Sequence, residues 1–122
     1  MSRPTEHELI QWFIREKVPP DAHHNEQYRF YGVYHDLVVE TEKELWIVDA
    51  KTVVDSRNYG GLGQLLFYKY LHEKYDPNET RELKLICVCQ DCRDPDLREL
   101  LGLYNVQLVE KDIEPSTRQR VT

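Results

Sequence analysis

Two apolar runs that also carry charged residues constrain the fold of this chain most strongly. The runs 36–41 and 45–51 are rich in valine, leucine and isoleucine and are joined by a short charged segment. They therefore predict the two strands of a β-hairpin. Asp36, Asp49 and Lys51 lie within these runs. A charged side chain in a half-buried sheet is costly without a partner or a metal, so these residues indicate a functional site.

The spacing of the three charges predicts their arrangement. Asp49 and Lys51 are two residues apart on one strand, so both side chains lie on the same face. If the hairpin is symmetric about Glu42 and Lys43, residues whose numbers sum to 85 face each other, and Asp36 lies opposite Asp49. An odd-length loop or a β-bulge would change this register. Carboxylates about 5 Å apart repel unless a proton or a cation separates them. We expect a divalent cation with oxygen ligands, Mg²⁺ or Mn²⁺.

The segment after the hairpin predicts a helix that extends from the glycines at 60–63 to Tyr75. The residues expected on its buried face are Gln64, Phe67, Tyr68, Leu71 and Tyr75. Its solvent-exposed face is expected to contain Lys69, His72, Glu73 and Lys74. A buried amide needs a hydrogen-bond partner. Because Gln64 precedes Tyr68 by one helical turn, the two side chains either satisfy each other or face a site.

An aspartate, a hairpin, Asp-x-Lys on the next strand and Gln-x-x-x-Tyr on a helix, in this order, resemble the PD-(D/E)XK nuclease superfamily. The RecB-like and archaeal Holliday-junction-resolvase-like branches are the most similar. The resemblance implies that Asp36 and Asp49 bind the metal and that Lys51 orients or activates the attacking water. It also implies that Gln64 and Tyr68 shape the substrate side of the pocket.

The reaction implied by the resemblance is hydrolysis of a phosphodiester in DNA, with RNA not excluded. A metal between opposed carboxylates polarises the phosphodiester and lowers the pKa of a bound water. Lys51 adds a positive charge near the same phosphate. The Pro-Asp pair of the superfamily is absent at the first acid, where His35-Asp36 stands instead, but that proline is often missing in the superfamily. The residues leave one structural alternative, in which Asp49 and Lys51 form a solvated ion pair and Asp36 ends a strand.

The N-terminal segment supplies a candidate third metal ligand. Thr5 and Glu8 match a capping box that begins a helix of residues 6–17. Glu6 shares a helix face with Leu9, so it can point toward the sheet, and the resemblance implies a helix-borne glutamate near the metal. The alternative is that Glu6 only interacts favourably with the helix dipole.

The charge balance gives a second function hypothesis. The net charge is −6, from 16 basic and 22 acidic residues, which argues against a tight, nonspecific polyanion binder. A nuclease of this composition needs local basic patches, and Arg57, Asn58 and Lys69 are the expected nucleic-acid contacts. The alternative function is a non-catalytic module that keeps the nuclease fold and binds nucleic acid or a protein partner.

The three cysteines follow a Cys-x-Cys-x-x-Cys pattern that is also found in zinc and iron–sulfur sites: Cys87, Cys89 and Cys92. However, residues 83–89 predict a buried strand, in which a cysteine is an ordinary small hydrophobic residue. The paired histidines 23 and 24 lie in a predicted polar loop, and His7, His35 and His72 carry no signal beyond ordinary surface usage.

The remaining patterns predict a strand near residues 27–31, a short helix that Asp94 caps, and a last strand at 106–109. The order α-β-β-β-α-β-α-β indicates an α/β fold with a central mixed sheet flanked by helices, restriction-endonuclease-like by resemblance. We expect one domain over residues 1–113 and a polar tail over 114–122.

No apolar run reaches membrane-spanning length and the first residues lack a signal peptide, so we expect a cytoplasmic protein. Apolar residues on the outer side of the 60–75 helix indicate a homodimer or a larger assembly. They include Leu62, Leu65 and Leu66.

Overall fold

The computed structural model describes residues 5–111, so the expected tail at 114–122 lies outside the described residues. The elements follow the predicted order: α1 (Glu6–Lys17), β1 (His23–Phe30), β2 (Val33–Glu40), β3 (Glu44–Val54), α2 (Leu62–Tyr75), β4 (Glu82–Cys92), α3 (Pro95–Leu103) and β5 (Val106–Glu110). A 3₁₀ turn (Tyr59–Gly61) precedes α2. The loop predicted for His23 and His24 is wrong, because His23 pairs with Glu40 and both histidines extend β1.

The five strands form one mixed sheet in the order β1-β2-β3-β4-β5. Strands β1, β2 and β3 form an antiparallel meander. Strand β4 pairs in parallel with β3 after the crossover that contains α2, and β5 pairs in parallel with β4 after the crossover that contains α3. One face packs against α1, chiefly through Leu9, Ile10 and Phe13. The other face packs against α2 and α3. This arrangement confirms the predicted mixed sheet between two helical layers.

The register predicted for the β2–β3 hairpin is confirmed over its four paired positions, and the predicted pair of Asp36 and Asp49 lies just beyond them. Leu37 pairs with Val48 and Val38 pairs with Ile47, as a loop with an even number of residues requires. The loop is closed by Thr41, whose N–H donates to the carbonyl of Glu44 at 2.9 Å. The Thr41 hydroxyl oxygen also accepts the Glu44 N–H, so a threonine side chain replaces the Asn-Gly chemistry of tighter turns.

The buried stripe predicted for α2 is wrong except at Tyr68, which is buried as predicted. Phe67 is 52% exposed and Tyr75 is 59% exposed. Gln64 is also exposed, and the buried residues are Leu62, Leu65, Tyr68 and His72. The helix carries apolar residues all round, so its pattern favours no single face, and its docking on the sheet decides the rotation. Since Leu62 and Leu65 face inward, they cannot support the predicted homodimer, which stays a prediction.

The terminal helices begin as predicted. In α1 the Glu8 N–H donates to the Thr5 hydroxyl at 3.0 Å and the Thr5 N–H donates to the Glu8 carboxylate at 3.1 Å. In α3 the Asp94 carboxylate accepts the N–H groups of the first turn. No helix within residues 5–111 is long and apolar enough to cross a membrane.

The three cysteines are buried and form no disulfide. Burial raises the pKa of Cys87 to about 12 and also raises the pKa of Cys89, so both thiols stay protonated at neutral pH. They behave as small hydrophobic core residues on the same sheet face as α2.

Candidate active site

The two acids meet where β2 and β3 separate. The paired ladder ends at Leu37 and Val48, one position before the acids. Beyond it the Asp36 N–H donates to Asp49 Oδ1 at 3.1 Å, and the Ala50 N–H donates to Asp36 Oδ2 at 2.8 Å. Each carboxylate therefore accepts a backbone hydrogen bond from the strand of the other acid. These two reciprocal bonds hold both side chains in the gap between the strands.

Asp49 and Lys51 lie on the α2 side of the sheet, as strand alternation predicts. The start of α2 covers them: a Cβ at Gly61 would lie 3.5 Å from Lys51 Cε and 3.9 Å from Asp49 Cβ. Gly61 has a φ of +70°, a conformation that glycine adopts without steric cost. Asp49 is 3% exposed. A glycine at this position thus lets the helix begin directly over the Asp-x-Lys pair.

The electrostatic environment of Asp36 differs from that of an ordinary surface acid. Burial raises the pKa of the Asp36 carboxyl, and the nearby charge of Asp49 raises it further. The Ala50 N–H hydrogen bond and the charges of Lys51 and His35 oppose this rise. Asp49 and Lys51 therefore both act on Asp36, and a carboxyl with a perturbed pKa is typical of a functional site.

His35 is part of this site although its sequence context did not reveal it. The imidazole is 1% exposed, so the predicted surface role is wrong. Its Nδ1 lies 3.1 Å from Asp49 Oδ2, and its Nε2 has no hydrogen-bond partner among the described residues. Asp49 therefore has protein partners at both oxygens. The available signal was a histidine beside Asp36 within an apolar strand.

Gln64 and Tyr68 attach α2 to β2 behind the acids. The Gln64 side-chain amide donates to the Tyr34 carbonyl at 2.5 Å. Tyr68 is fully buried, and its ring meets the His35 ring edge-on, with centroids 5.1 Å apart. The Tyr68 hydroxyl lies 3.5 Å from Nδ1 of His72. His72 is also buried, so its predicted place on the solvent side of α2 is wrong. Gln64 and Tyr68 form no hydrogen bond with each other, because Gln64 bonds to the Tyr34 carbonyl and Tyr68 contacts His35 and His72.

Glu6 lies in the same cleft as Asp36, on the α1 side of the sheet. The cleft has a volume of about 100 Å³ and also contains Glu26 and Gln27. Gln27 and Asp36 interrupt the β1–β2 ladder between the pairs Glu26–Leu37 and Tyr28–His35, and Gln27 has a φ of +53°, which is strained for a non-glycine residue. Local backbone strain of this kind clusters at functional sites. Sequence patterns could not have located Glu26 and Gln27, because a local break in β1 decides their position.

The described residues contain no group of three or more His, Cys, Asp or Glu side chains close enough to hold a metal. Asp36 and Asp49 are the two acids that the structure brings together, and Glu6 is exposed beside Asp36. Among residues 5–111 the site is thus a pair of carboxylates with a nearby third acid.

The predicted nucleic-acid contacts lie in two places. Arg57 is exposed after β3 and pairs with Asp55 at 2.9 Å. Asn58 stabilises the 3₁₀ turn, since its amide donates to the Val53 carbonyl and accepts the Gly60 N–H. Lys69 lies further along α2 and lines a separate cleft of about 630 Å³ at the start of β4. The structure places Arg57 and Asn58 just before the turn that covers Lys51, but it does not bring Lys69 to the acids.

Comparisons with known proteins bear on the fold. No protein-family model matches the chain, and no curated protein matches it significantly. Among solved structures, the crystal structure of a repair endonuclease from Pyrococcus abyssi matches with a TM-score of 0.64 and 13% sequence identity. The match covers 90% of this chain and 48% of that protein, so the chain spans about half its length. At this identity the likeness shows the fold alone: an α/β mixed sheet flanked by helices, consistent with a restriction-endonuclease-like architecture.

Proposed function

We propose that this protein is a metal-dependent nuclease of the PD-(D/E)XK superfamily that hydrolyses phosphodiester bonds of DNA. The observation that carries the proposal is the meeting of Asp36, Asp49 and Lys51 at the point where β2 and β3 separate. The likeness to a repair endonuclease supports the same class of activity. RNA is not excluded as a substrate.

The oxygen atoms at this point suit Mg²⁺ or Mn²⁺. Asp36 Oδ1 makes no hydrogen bond to the described residues, while Oδ2 is held by Ala50. Protein sites for Mg²⁺ commonly use one or two carboxylates together with waters and substrate phosphates, so a third acid close by is not required. Asp36 and Asp49 would hold the metal, and Glu6 is the proposed further ligand. When bound, the metal would act as a Lewis acid and lower the pKa of its water.

The protein's own residues prepare the site for an anionic substrate. Lys51 has no carboxylate within 4.0 Å in the part of the chain described here, so its ammonium is available to a phosphate. A lysine acts in such sites as a compact positive charge. Two donors, the Asp36 N–H and the His35 ring, keep Asp49 in one orientation. Gln64 and Tyr68 hold α2 against β2 and thereby keep Gly61 over Lys51.

Cleavage assays test this proposal. The protein is incubated with plasmid, single-stranded and branched DNA, with a matching RNA, and with Mn²⁺, Mg²⁺ or chelator. We expect cleavage that needs the metal and that falls at least about 100-fold in Asp49→Asn and Lys51→Ala. Asp96→Asn, an exposed aspartate on α3, is the matched control and should retain full activity. Cleavage that persists in chelator, or in Asp49→Asn at the parent rate, contradicts the proposal.

One observation favours the second candidate, a non-catalytic module that binds nucleic acid or a protein partner. Both Asp49 oxygens already have protein partners, and a structural acid needs nothing further. The net charge of −6 also suits a module that meets its target through a limited surface. This function predicts DNA binding in a gel-shift assay without cleavage under any metal condition. The cytoplasmic location and the homodimer stay predictions.

A further inference from the structure

An exposed arginine–tyrosine pair lies across the β1–β2 hairpin. Arg29 and Tyr34 are paired residues in the antiparallel register. The Arg29 guanidinium carbon lies 5.0 Å from the centroid of the Tyr34 ring. Tyr34 is 55% exposed. Its backbone carbonyl accepts the Gln64 amide, so the strand beneath the ring is held in place. The pair presents an aromatic face and a guanidinium together to solvent.

This pair is on the same side of the sheet as Asp36. His35 points toward α2, where it meets Tyr68, and Tyr34 is its neighbour in the paired ladder, so Tyr34 points to the α1 side together with its partner Arg29. Asp36 lines the cleft on that same side with Glu6 and Gln27. Two residues along a strand span about 7 Å. An extended ligand lying along the hairpin can therefore reach both the pair and the acid.

Arg29 has no carboxylate partner among residues 5–111, because no carboxylate oxygen there lies within 4.0 Å of its guanidinium. Of the other arginines in residues 5–111, Arg57, Arg81, Arg93 and Arg98 each pair with an acid, whereas Arg15 on α1 does not. In a chain with an excess of acidic residues, an exposed arginine without a carboxylate presents its donors to an external anion. A phosphate group fits this geometry, because the guanidinium can bind two of its oxygens.

We propose that Arg29 and Tyr34 form a nucleotide subsite for single-stranded DNA. A base stacks on the Tyr34 ring, and Arg29 binds the phosphate next to it. This inference rests on the proposed nuclease function, because the bound strand would continue past Gln27 toward Asp36. A base inside a duplex is already covered by its neighbours, so a single exposed tyrosine favours unpaired nucleotides. The alternative is that the pair only stabilises the hairpin as a cross-strand contact.

Binding without cleavage tests the subsite independently of catalysis. Fluorescence anisotropy is measured in chelator with a labelled single-stranded oligonucleotide and with a labelled hairpin duplex. We expect Tyr34→Ala to weaken single-strand binding about 10-fold and Tyr34→Phe to bind as the parent does. Arg29→Gln should weaken binding and reduce the slope of log affinity against log salt by about one. Duplex binding should change less than about 2-fold in all three variants.

The matched control is Tyr70→Ala. Tyr70 is 58% exposed on α2 and also lies beside a cation, since Lys74 Nζ is 5.8 Å from its ring centroid. Parent-like single-strand binding in this variant supports the subsite. Parent-like binding in Tyr34→Ala, or an equal loss for the duplex, overturns it. If the protein cleaves DNA while Tyr34→Ala binds normally, only the subsite fails. If binding depends on Tyr34 but no metal supports cleavage, only the nuclease function fails.

Discussion

Replacing Asp49 with alanine tests whether this acid anchors the split between β2 and β3. The change leaves two donors without an acceptor: the Asp36 N–H, 3.1 Å from Oδ1, and His35 Nδ1, 3.1 Å from Oδ2. Hydrogen bonds to a charged group contribute about 1.5–3 kcal/mol each. Relief of repulsion with Asp36 recovers part of this loss. We expect the free energy of unfolding to fall by about 3 kcal/mol.

Urea denaturation in chelator, followed by the fluorescence of Trp12 and Trp46, measures this change. Trp12 belongs to the hydrophobic core between α1 and the sheet, and Trp46 packs against that core, so their emission reports on whether α1 is packed on the sheet. Small domains have a total free energy of unfolding of about 5–15 kcal/mol, so a loss of this size should clearly lower the urea concentration at the midpoint. The dependence of the free energy on urea concentration should stay unchanged. A loss below about 1 kcal/mol would refute the anchoring argument, because the two donors would then not depend on the carboxylate.

Asp36→Asn is the companion variant with the opposite expectation. The asparagine oxygen can still accept the Ala50 N–H, so the backbone contact is kept. Because burial raises the pKa of Asp36 in the folded state, its charged form costs stability once the pH is above that pKa. At neutral pH we therefore expect the free energy of unfolding of the variant to equal that of the parent or to exceed it by up to about 1 kcal/mol. Cleavage should be abolished. The gain should vanish as the pH falls through the carboxyl pKa. A loss as large as that of Asp49→Ala would show that the Asp36 charge itself supports the fold.

Three further predictions concern the surrounding structure. The Arg81 guanidinium lowers the pKa of Glu79 to about 2, so this pair stabilises the fold above pH 4.5 and the contribution disappears as the pH falls from 4.5 to about 2. Arg81→Gln should therefore lose less stability than the parent across that interval, measured by acid titration of circular dichroism. Gly61→Ala should cost about 1–2 kcal/mol for its left-handed backbone alone, and Gly60→Ala should cost more, because its Cβ also meets core atoms at 3.3 Å. Thermal melts of the two variants give the comparison. Tyr68→Phe should change the free energy of unfolding by less than about 1 kcal/mol, and Tyr68→Ala should lower it by about 3–5 kcal/mol, because the ring and not the hydroxyl fills the space under α2. Equal losses in the two Tyr68 variants would contradict this assignment.

The hairpin shows how far local rules extend. An even-length loop and a side-chain period of two are enough to set the register of β2 against β3 and to put Asp49 and Lys51 on one face. The same rules predict two carboxylates directly opposed in a continuous ladder. The ladder instead ends at Leu37 and Val48, and the acids bind the backbone of the neighbouring strand. A side chain that competes with the backbone for hydrogen bonds is not visible in a hydrophobic pattern.

The helix over the site shows where local rules stop. Residues 62–75 are apolar on several sides, so a stripe through Phe67 and a stripe through Leu65 fit the pattern almost equally well. The contact between Gly61 and the Asp-x-Lys pair, together with the rings around Tyr68, selects the second. This choice buries His72 and leaves Phe67 exposed.

By itself the amino-acid sequence determined the order of the elements, the register of the motif hairpin and the shared face of Asp49 and Lys51, because these depend on short-range periodicity, caps and loop length. Only the tertiary structure decided the separation of β2 from β3, the burial of His35 against Asp49, the strained Gln27 in the cleft of Asp36 and the rotation of α2. Each of these depends on contacts between residues distant in the chain, where packing and hydrogen bonding outweigh local preference.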